Sequence, residues 1–242
     1  MVFEMELCIW HLYPELLNMY GDVGNVKILK YRAEKRGISV SVHVHTKGEA
    51  FGDNMPDIII LGSGQAFEMQ IVAEELRQNR AWLSDYIEKG GVLLAIGSGL
   101  QMLGNACIPD EGAEIEGLSL LPIRTEPGEK RYTGNIAVET DTDMLVGFEN
   151  HAGKTFIDTL PPLGTVRAGI GNNGEDNTEG VRYKNVYGTF LHGPLLSKNP
   201  ALADEILQKA LEKKYEKVEL SKLDDTYTNE AKREMLSRLG LV

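Results

Sequence analysis

Cysteine is nearly absent: the 242-residue chain has two, Cys8 and Cys107. Two thiols exclude a disulfide framework and a cysteine-rich zinc site, and they point to a reducing compartment. Histidine is also scarce, at five residues, so imidazole chemistry has few places to sit. Basic charge is in deficit, with 25 Lys+Arg against 36 Asp+Glu and a formal net charge of −11. A general nucleic-acid binder or a binder of anionic membranes needs the opposite balance, so neither is expected. No apolar run approaches the roughly 18–20 residues of a membrane span. The N-terminal MVFEMELCIW carries acids where a secretory leader is basic. A cytoplasmic protein is expected. What remains is a globular composition, 42% hydrophobic and 25% charged, with enough apolar material for a buried core.

Through the first two-thirds of the chain, short apolar runs alternate with amphipathic stretches. That pattern predicts an α/β fold: a doubly wound, mostly parallel sheet flanked by helices. Glu6 to Leu12 reads as a first strand, Val26 to Lys35 as a helix, and Ile38 to Val44 as a half-buried strand of period two. Asp57 to Leu61 and Val92 to Ile96 are unbroken apolar runs, as central parallel strands are. Each ends in a glycine-rich turn, Gly62-Ser63-Gly64 and Gly97-Ser98-Gly99. Phe67 to Ile87 carries one or two helices, and Leu100 to Ala106 resumes helical spacing. After Pro109 the pattern shifts to extra β elements at Arg131 to Glu139, Thr165 to Ala168 and Val186 to Leu191, with Gly169 to Gly180 as a loop. Pro200 to Tyr215 predicts a helix with proline in its first turn, and Thr228 to Leu239 a short peripheral one. No linker divides the chain. One domain over 1–242 is expected, with a core of about 6–215 and a helical extension over 216–242.

Ligands of parallel α/β sheets bind beyond the carboxyl ends of the strands. The turns at 62–64 and 97–99 belong there, and their backbone N–H groups can face developing negative charge. Neither is a phosphate loop, because no Lys-Ser/Thr follows the glycines and no G-x-G-x-x-G is present, so a nucleotide cradle is not expected. His192, within Leu191-His192-Gly193-Pro194, ends a strand as a general base would. His151, within Phe148-Glu149-Asn150-His151, is a second candidate. His43 and His45 share a strand face, but no acid or thiol motif converges on them in the sequence. A packed or solvated pair is expected there, and no metal site is assigned.

Taken in order, Tyr20 to Asn25, Val92 to Ile96 with Leu100 to Gly104, Gly147 to His151, and Tyr183 through Pro194 resemble the class I glutamine amidotransferases of the CobB/CobQ type. Within that family the likeness is greatest to glutaminase subunits that serve lipid II amidation. The resemblance implies a Cys–His amidohydrolase whose thiolate attacks the carboxamide of L-glutamine while the histidine moves the proton. Ammonia would pass to a separate MurT-like Mur ligase subunit, which uses ATP to amidate the D-glutamate of the peptidoglycan stem on lipid II. No cofactor is implied for this chain. By the same resemblance His192 is the family's histidine, and Arg131 holds the glutamine substrate, as suits a guanidinium reading a carboxylate. Gly64 and the backbone N–H of Ser98 are oxyanion donors, and Gln101 lines the glutamine pocket.

The chain departs from the family at the nucleophile. Where the family reads Ile-Cys-Gly-Gly, this chain reads Ile96-Gly97-Ser98-Gly99, so Gly97 holds the cysteine's position. Ser98 is not expected to replace it, because a serine elbow needs glycines at 96 and 100, where Ile96 and Leu100 stand. Cys107 is expected to be a buried apolar residue. Pro194 stands where an acid usually follows the histidine by two residues, an acid the partner is expected to supply. The expectation is a pocket that binds glutamine, turns it over very slowly, and recovers with Gly97→Cys. Two rival readings remain: a non-catalytic scaffold that stabilises its partner or channels free ammonia, and a member of the cobyric acid synthase branch.

Overall fold

The computed structural model describes residues 5–109 and 113–242; the first residues of the leader argument, Met1 to Glu4, lie outside them. The first half runs β1 (Glu6–Leu12), α1 (Val23–Glu34), β2 (Ser39–His45), β3 (Ile58–Leu61), α2 (Ala66–Gln78), α3 (Arg80–Glu88), β4 (Val92–Ile96) and α4 (Ser98–Leu103). A β-rich stretch follows: β5 (Ala106–Cys107), β6 (Ile115–Glu116), β7 (Arg124–Glu126), β8 (Tyr132–Glu139), β9 (Met144–His151), β10 (Lys154–Phe156), β11 (Gly164–Ala168) and β12 (Thr178–Glu179). The hairpin β13 (Val181–Tyr183) and β14 (Val186–Thr189) leads to α5 (Leu195–Lys198), α6 (Pro200–Tyr215) and α7 (Thr226–Arg238).

The main sheet has the order β13-β14-β4-β3-β1-β2. All its pairings are parallel except the β13–β14 hairpin. Its central strands are apolar at every position because successive side chains enter two different cores. Ile59, Leu61, Leu93 and Ala95 pack with Val72 and Leu76 of α2 and with Leu83 and Tyr86 of α3. Ile58, Ile60, Val92, Leu94 and Ile96 pack on the other face with Leu29 of α1 and Ile206 and Leu207 of α6. Each such side chain contributes roughly 1.5–3 kcal/mol on leaving water, so both faces hold the strands in register.

Two smaller sheets, β10-β7-β5-β6 and β12-β11-β8-β9, sit beside this layer. The second reaches the crest of the main sheet through an antiparallel bridge between Phe148 and His192, where the His192 N–H donates to the Phe148 carbonyl at 2.8 Å.

Several element ends differ from the sequence expectation, and β12 falls within the 169–180 stretch expected to be a loop. Helix α1 starts at Val23, not Val26, because the Asn18 side chain accepts the Val23 N–H at 2.9 Å. Helix α4 stops at Leu103, and Ala106 joins β5. Gly104 turns extended there and passes so near Ile123 that a Cβ would lie 2.5 Å from the Ile123 carbonyl oxygen. Strand β14 stops at Thr189 because the buried Glu179 carboxyl takes the Thr189 hydroxyl at 3.0 Å and the Phe190 N–H at 2.6 Å. As expected, α7 is peripheral: none of its residues is buried. Arg32 of α1 grips Asp225 at its start and Asp204 of α6 at once, and Lys232 pairs with Asp143.

Candidate active site

Strand β4 ends in a reversal at Gly97, which adopts φ 55° and ψ −117°. A residue with a Cβ pays about 1–3 kcal/mol to sit in such a region; glycine does not. The Gly97 N–H donates to the Thr189 carbonyl at 2.8 Å, which fixes the turn beside the end of β14. A Cβ placed on Gly97 would lie 2.5 Å from Ser63 Oγ and 2.9 Å from His192 Cε1. Position 97 therefore has the backbone of a nucleophile elbow and aims between Ser63 and His192. It carries no side chain to aim, and its two neighbours already crowd that space.

His192 is 1% exposed, with its ring against Tyr20 at 4.4 Å and Phe148 at 5.6 Å between centroids. Neither ring nitrogen has a hydrogen-bond partner among the described residues. Burial, helped by the nearby charge of Arg131, pushes its pKa down to about 4. His192 is thus a neutral imidazole at pH 7 with an available lone pair, as a base requires.

The donors proposed for an oxyanion are engaged by the protein itself. The Gly64 N–H donates to Ser98 Oγ at 2.8 Å, and the Ser98 N–H faces Ser63 Oγ at 3.5 Å. The Ser63 N–H is held by the buried carboxyl of Asp22 at 2.8 Å. Burial raises the Asp22 pKa to about 6, against the lowering effect of that hydrogen bond. Asp22 and Ser63 lie inside motifs visible in the sequence, Tyr20 to Asn25 and the 62–64 turn, yet only the fold shows that one supports the other.

In front of the elbow lies a cavity of about 580 Å³ whose lining includes Tyr20, Gly97, Ser98, Gln101, Cys107 and Arg131. Gly64 and His151 also line it. The structure thus brings Gly64, Gly97, Ser98, Gln101 and Arg131 to one space, with His192 on the side that position 97 faces. Arg131 is oriented by Asn150, to whose side-chain oxygen its Nε donates at 2.6 Å. Cys107 is buried, as expected, but it also borders the cavity, which its sequence position did not reveal. His151 stacks on Phe190 at 4.1 Å, and burial, followed by the charges of His192 and Arg131, drives its pKa to about 3. Beside it, Glu149 accepts the Ile170 and Gly171 N–H groups at 2.8 and 2.9 Å and so shapes the 169–173 loop.

The histidine pair His43 and His45 lies elsewhere, on the edge strand β2. His45 is packed and His43 open to solvent, and the turn after β2 returns Glu49 to both rings.

Residues 8–200 match the CobB/CobQ-like glutamine amidotransferase domain. Over 234 residues the chain is 41% identical to the lipid II isoglutaminyl synthase (glutamine-hydrolyzing) subunit GatD of Staphylococcus aureus, covering 96% of each. It is 40% identical over 237 residues to the GatD subunit of Streptococcus pneumoniae, covering 96% of this chain and 91% of that one. A cobyric acid synthase of Listeria welshimeri is 31% identical over 148 residues, which is 57% of this chain and 29% of that protein. Among solved structures, a glutamine amidotransferase of Thermotoga maritima superposes with a TM-score of 0.51 at 17% identity, covering 97% of this chain and 94% of that one, a likeness of fold. The elbow, the strand-end histidine and the whole-length sequence match agree: this chain belongs to the CobB/CobQ-like glutamine amidotransferase family.

Proposed function

We propose that this chain is the glutamine-recognising subunit of a lipid II isoglutaminyl synthase, and that its own glutaminase centre is silent. In this reading it docks on a MurT-like, ATP-using Mur ligase that amidates the D-glutamate of the peptidoglycan stem. Likeness over nearly the full length of two GatD subunits supports the assignment, whereas the cobyric acid synthase of Listeria welshimeri matches little more than half the chain.

One observation carries the silence: the elbow at 97 has the right backbone and faces His192, but bears only hydrogen. Glutamine would rest its carboxylate on Arg131 and extend its carboxamide toward the elbow. Position 97 has no atom to form the acyl-enzyme and offers His192 no thiol to deprotonate. Losing a nucleophile costs on the order of 10⁴–10⁶ in kcat. The Ser98 hydroxyl on the Gly64 N–H removes a further donor, and one such donor is worth about 10²–10³. Nitrogen for the ligase then has to come from free ammonium.

The test is the complex with its ligase, assayed for amidated product with glutamine or with ammonium chloride. Ammonium is expected to support the reaction, and glutamine to do so at least about 10³-fold more slowly. Equal rates from the two nitrogen sources would refute the silent centre. Failure to form a complex with the ligase would refute the subunit assignment.

A further inference from the structure

The edge of the main sheet holds a second cluster of chemistry, independent of the elbow and of the function proposed for it. His43 and His45 lie two apart on β2, so both rings project from one face. A tight turn through Gly48 brings Glu49 back beneath them. One ligand atom from each of the three residues falls within 4.8 Å of the other two.

The deciding detail is the state of His45. Its side chain is 1% exposed, and its Nε2 lies 2.8 Å from the Glu49 carbonyl oxygen. A carbonyl only accepts, so Nε2 carries the proton and Nδ1 carries the lone pair. That buried Nδ1 has no hydrogen-bond partner among the described residues. It lies 3.8 Å from Glu49 Oε2. An imidazole whose second nitrogen is pinned to a carbonyl, with its lone pair left open, is the arrangement that orients a histidine toward a metal. The ring is also fixed sideways by Phe51 at 4.4 Å and by Trp10 and Tyr13 at 5.6 Å each. The other two donors are open to solvent, His43 at 44% and Glu49 at 37% side-chain exposure, so an ion has a way in.

We propose that His43, His45 and Glu49 form a binding site for a divalent transition-metal ion of the zinc class. Two imidazoles and one carboxylate suit Zn²⁺, with Ni²⁺ and Co²⁺ as competitors, and water completes the coordination. In the free chain His43 Nε2 and Glu49 Oε1 meet at 2.7 Å. The ion replaces that hydrogen bond with two coordinate bonds, and the proton of His43 moves from Nε2 to Nδ1, which leaves the Nε2 lone pair for the metal. Its role is to clamp the 46–49 turn onto the edge strand, not to react.

The chain reports on this site unaided. Its two tryptophans are Trp10 and Trp82. Trp10 lies 5.5 Å from the His43 ring and 5.6 Å from that of His45, and stacks on Trp82 at 5.3 Å. The experiment uses the untagged, full-length chain stripped of metal. Zn²⁺ is titrated by calorimetry, and Ni²⁺ by tryptophan fluorescence. One equivalent of saturable Zn²⁺ binding is expected, and Ni²⁺ quenches the fluorescence. His43→Ala and Glu49→Gln alter solvent-exposed side chains and leave the fold intact. Each is expected to weaken Zn²⁺ binding at least about tenfold and to remove the Ni²⁺ quench. Absence of saturable binding overturns the proposal, and so does wild-type affinity in both variants, which would place the ion elsewhere.

Discussion

Two polar clusters at the strand ends of one sheet each hold a buried imidazole with an open nitrogen but differ in what surrounds it. At the elbow, where neither ring nitrogen of His192 has a partner among the described residues, the backbone donors are bonded within the protein: Gly64 to Ser98, Ser63 to Asp22, with Ser63 Oγ standing near the space a side chain at 97 would need. At the corner of β2, His45 keeps a buried lone pair that no described residue fills. Donors satisfied internally resist a ligand, because binding must first break their bonds; unsatisfied ones invite it, because burial without a partner costs about 1–3 kcal/mol. In the proposed function a resemblance in backbone does not carry activity with it, and in the further inference a pair of histidines with no motif around them forms a site.

The contrast is broken most forcefully by rebuilding the elbow. Gly97→Cys combined with Ser98→Gly restores the nucleophile and frees the Gly64 N–H. It is expected to raise glutamine-dependent ammonia release by the ligase complex at least about 10³-fold. The sequence reading expected Gly97→Cys alone to suffice. The geometry asks more, and the single variant is expected to fall about 10²–10³-fold short of the double one, the value of one oxyanion donor. Equal rates in the two variants would show that Ser98 does not occupy a working donor.

A smaller effect tests whether the pocket still recognises its ligand. In the proposed function Arg131 holds the glutamine carboxylate, so Arg131→Ala removes a charge-assisted hydrogen bond worth about 1.5–3 kcal/mol. Glutamine affinity by calorimetry is expected to drop roughly 10- to 100-fold.

Smaller still on a per-pH basis is the behaviour of Glu179, which lies behind the elbow with its pKa raised to about 8, chiefly by burial. A raised carboxyl pKa means that the fold prefers the protonated form. The stability it contributes is complete below pH 4.5 and declines as pH rises toward 8, by about 1.4 kcal/mol per pH unit. Glu179→Gln is expected to abolish that decline in chemical denaturation between pH 5 and 8. The smallest effect belongs to the other cluster: without metal, His43→Ala is expected to change stability by no more than about 0.5 kcal/mol, as for an exposed pair.

The order of strands and helices was legible because both faces of β3 and β4 are covered, which makes their sequences uninterrupted apolar runs. The elbow was legible as a strand running into a glycine pair, and His192 as a histidine at the end of another strand. The Ser98–Gly64 bond was not, since it joins two βα units 34 residues apart. Nor was the approach of Glu49 to His43, because a turn of four residues leaves no periodic trace. Asp22 was visible as part of a turn-rich loop, but its grip on Ser63 depends on β1 lying beside β3.

Helix α7 has no fully buried residue, and guanidinium, ammonium and carboxylate groups tie it down beside the half-buried Met235 and Leu236. Concentrated salt shortens the reach of such attractions to about 3 Å at 1 M, while leaving the paired apolar layers untouched. With Arg32 and Lys232 themselves 6% and 9% exposed, salt loosens the seating of the C-terminal helix only in part.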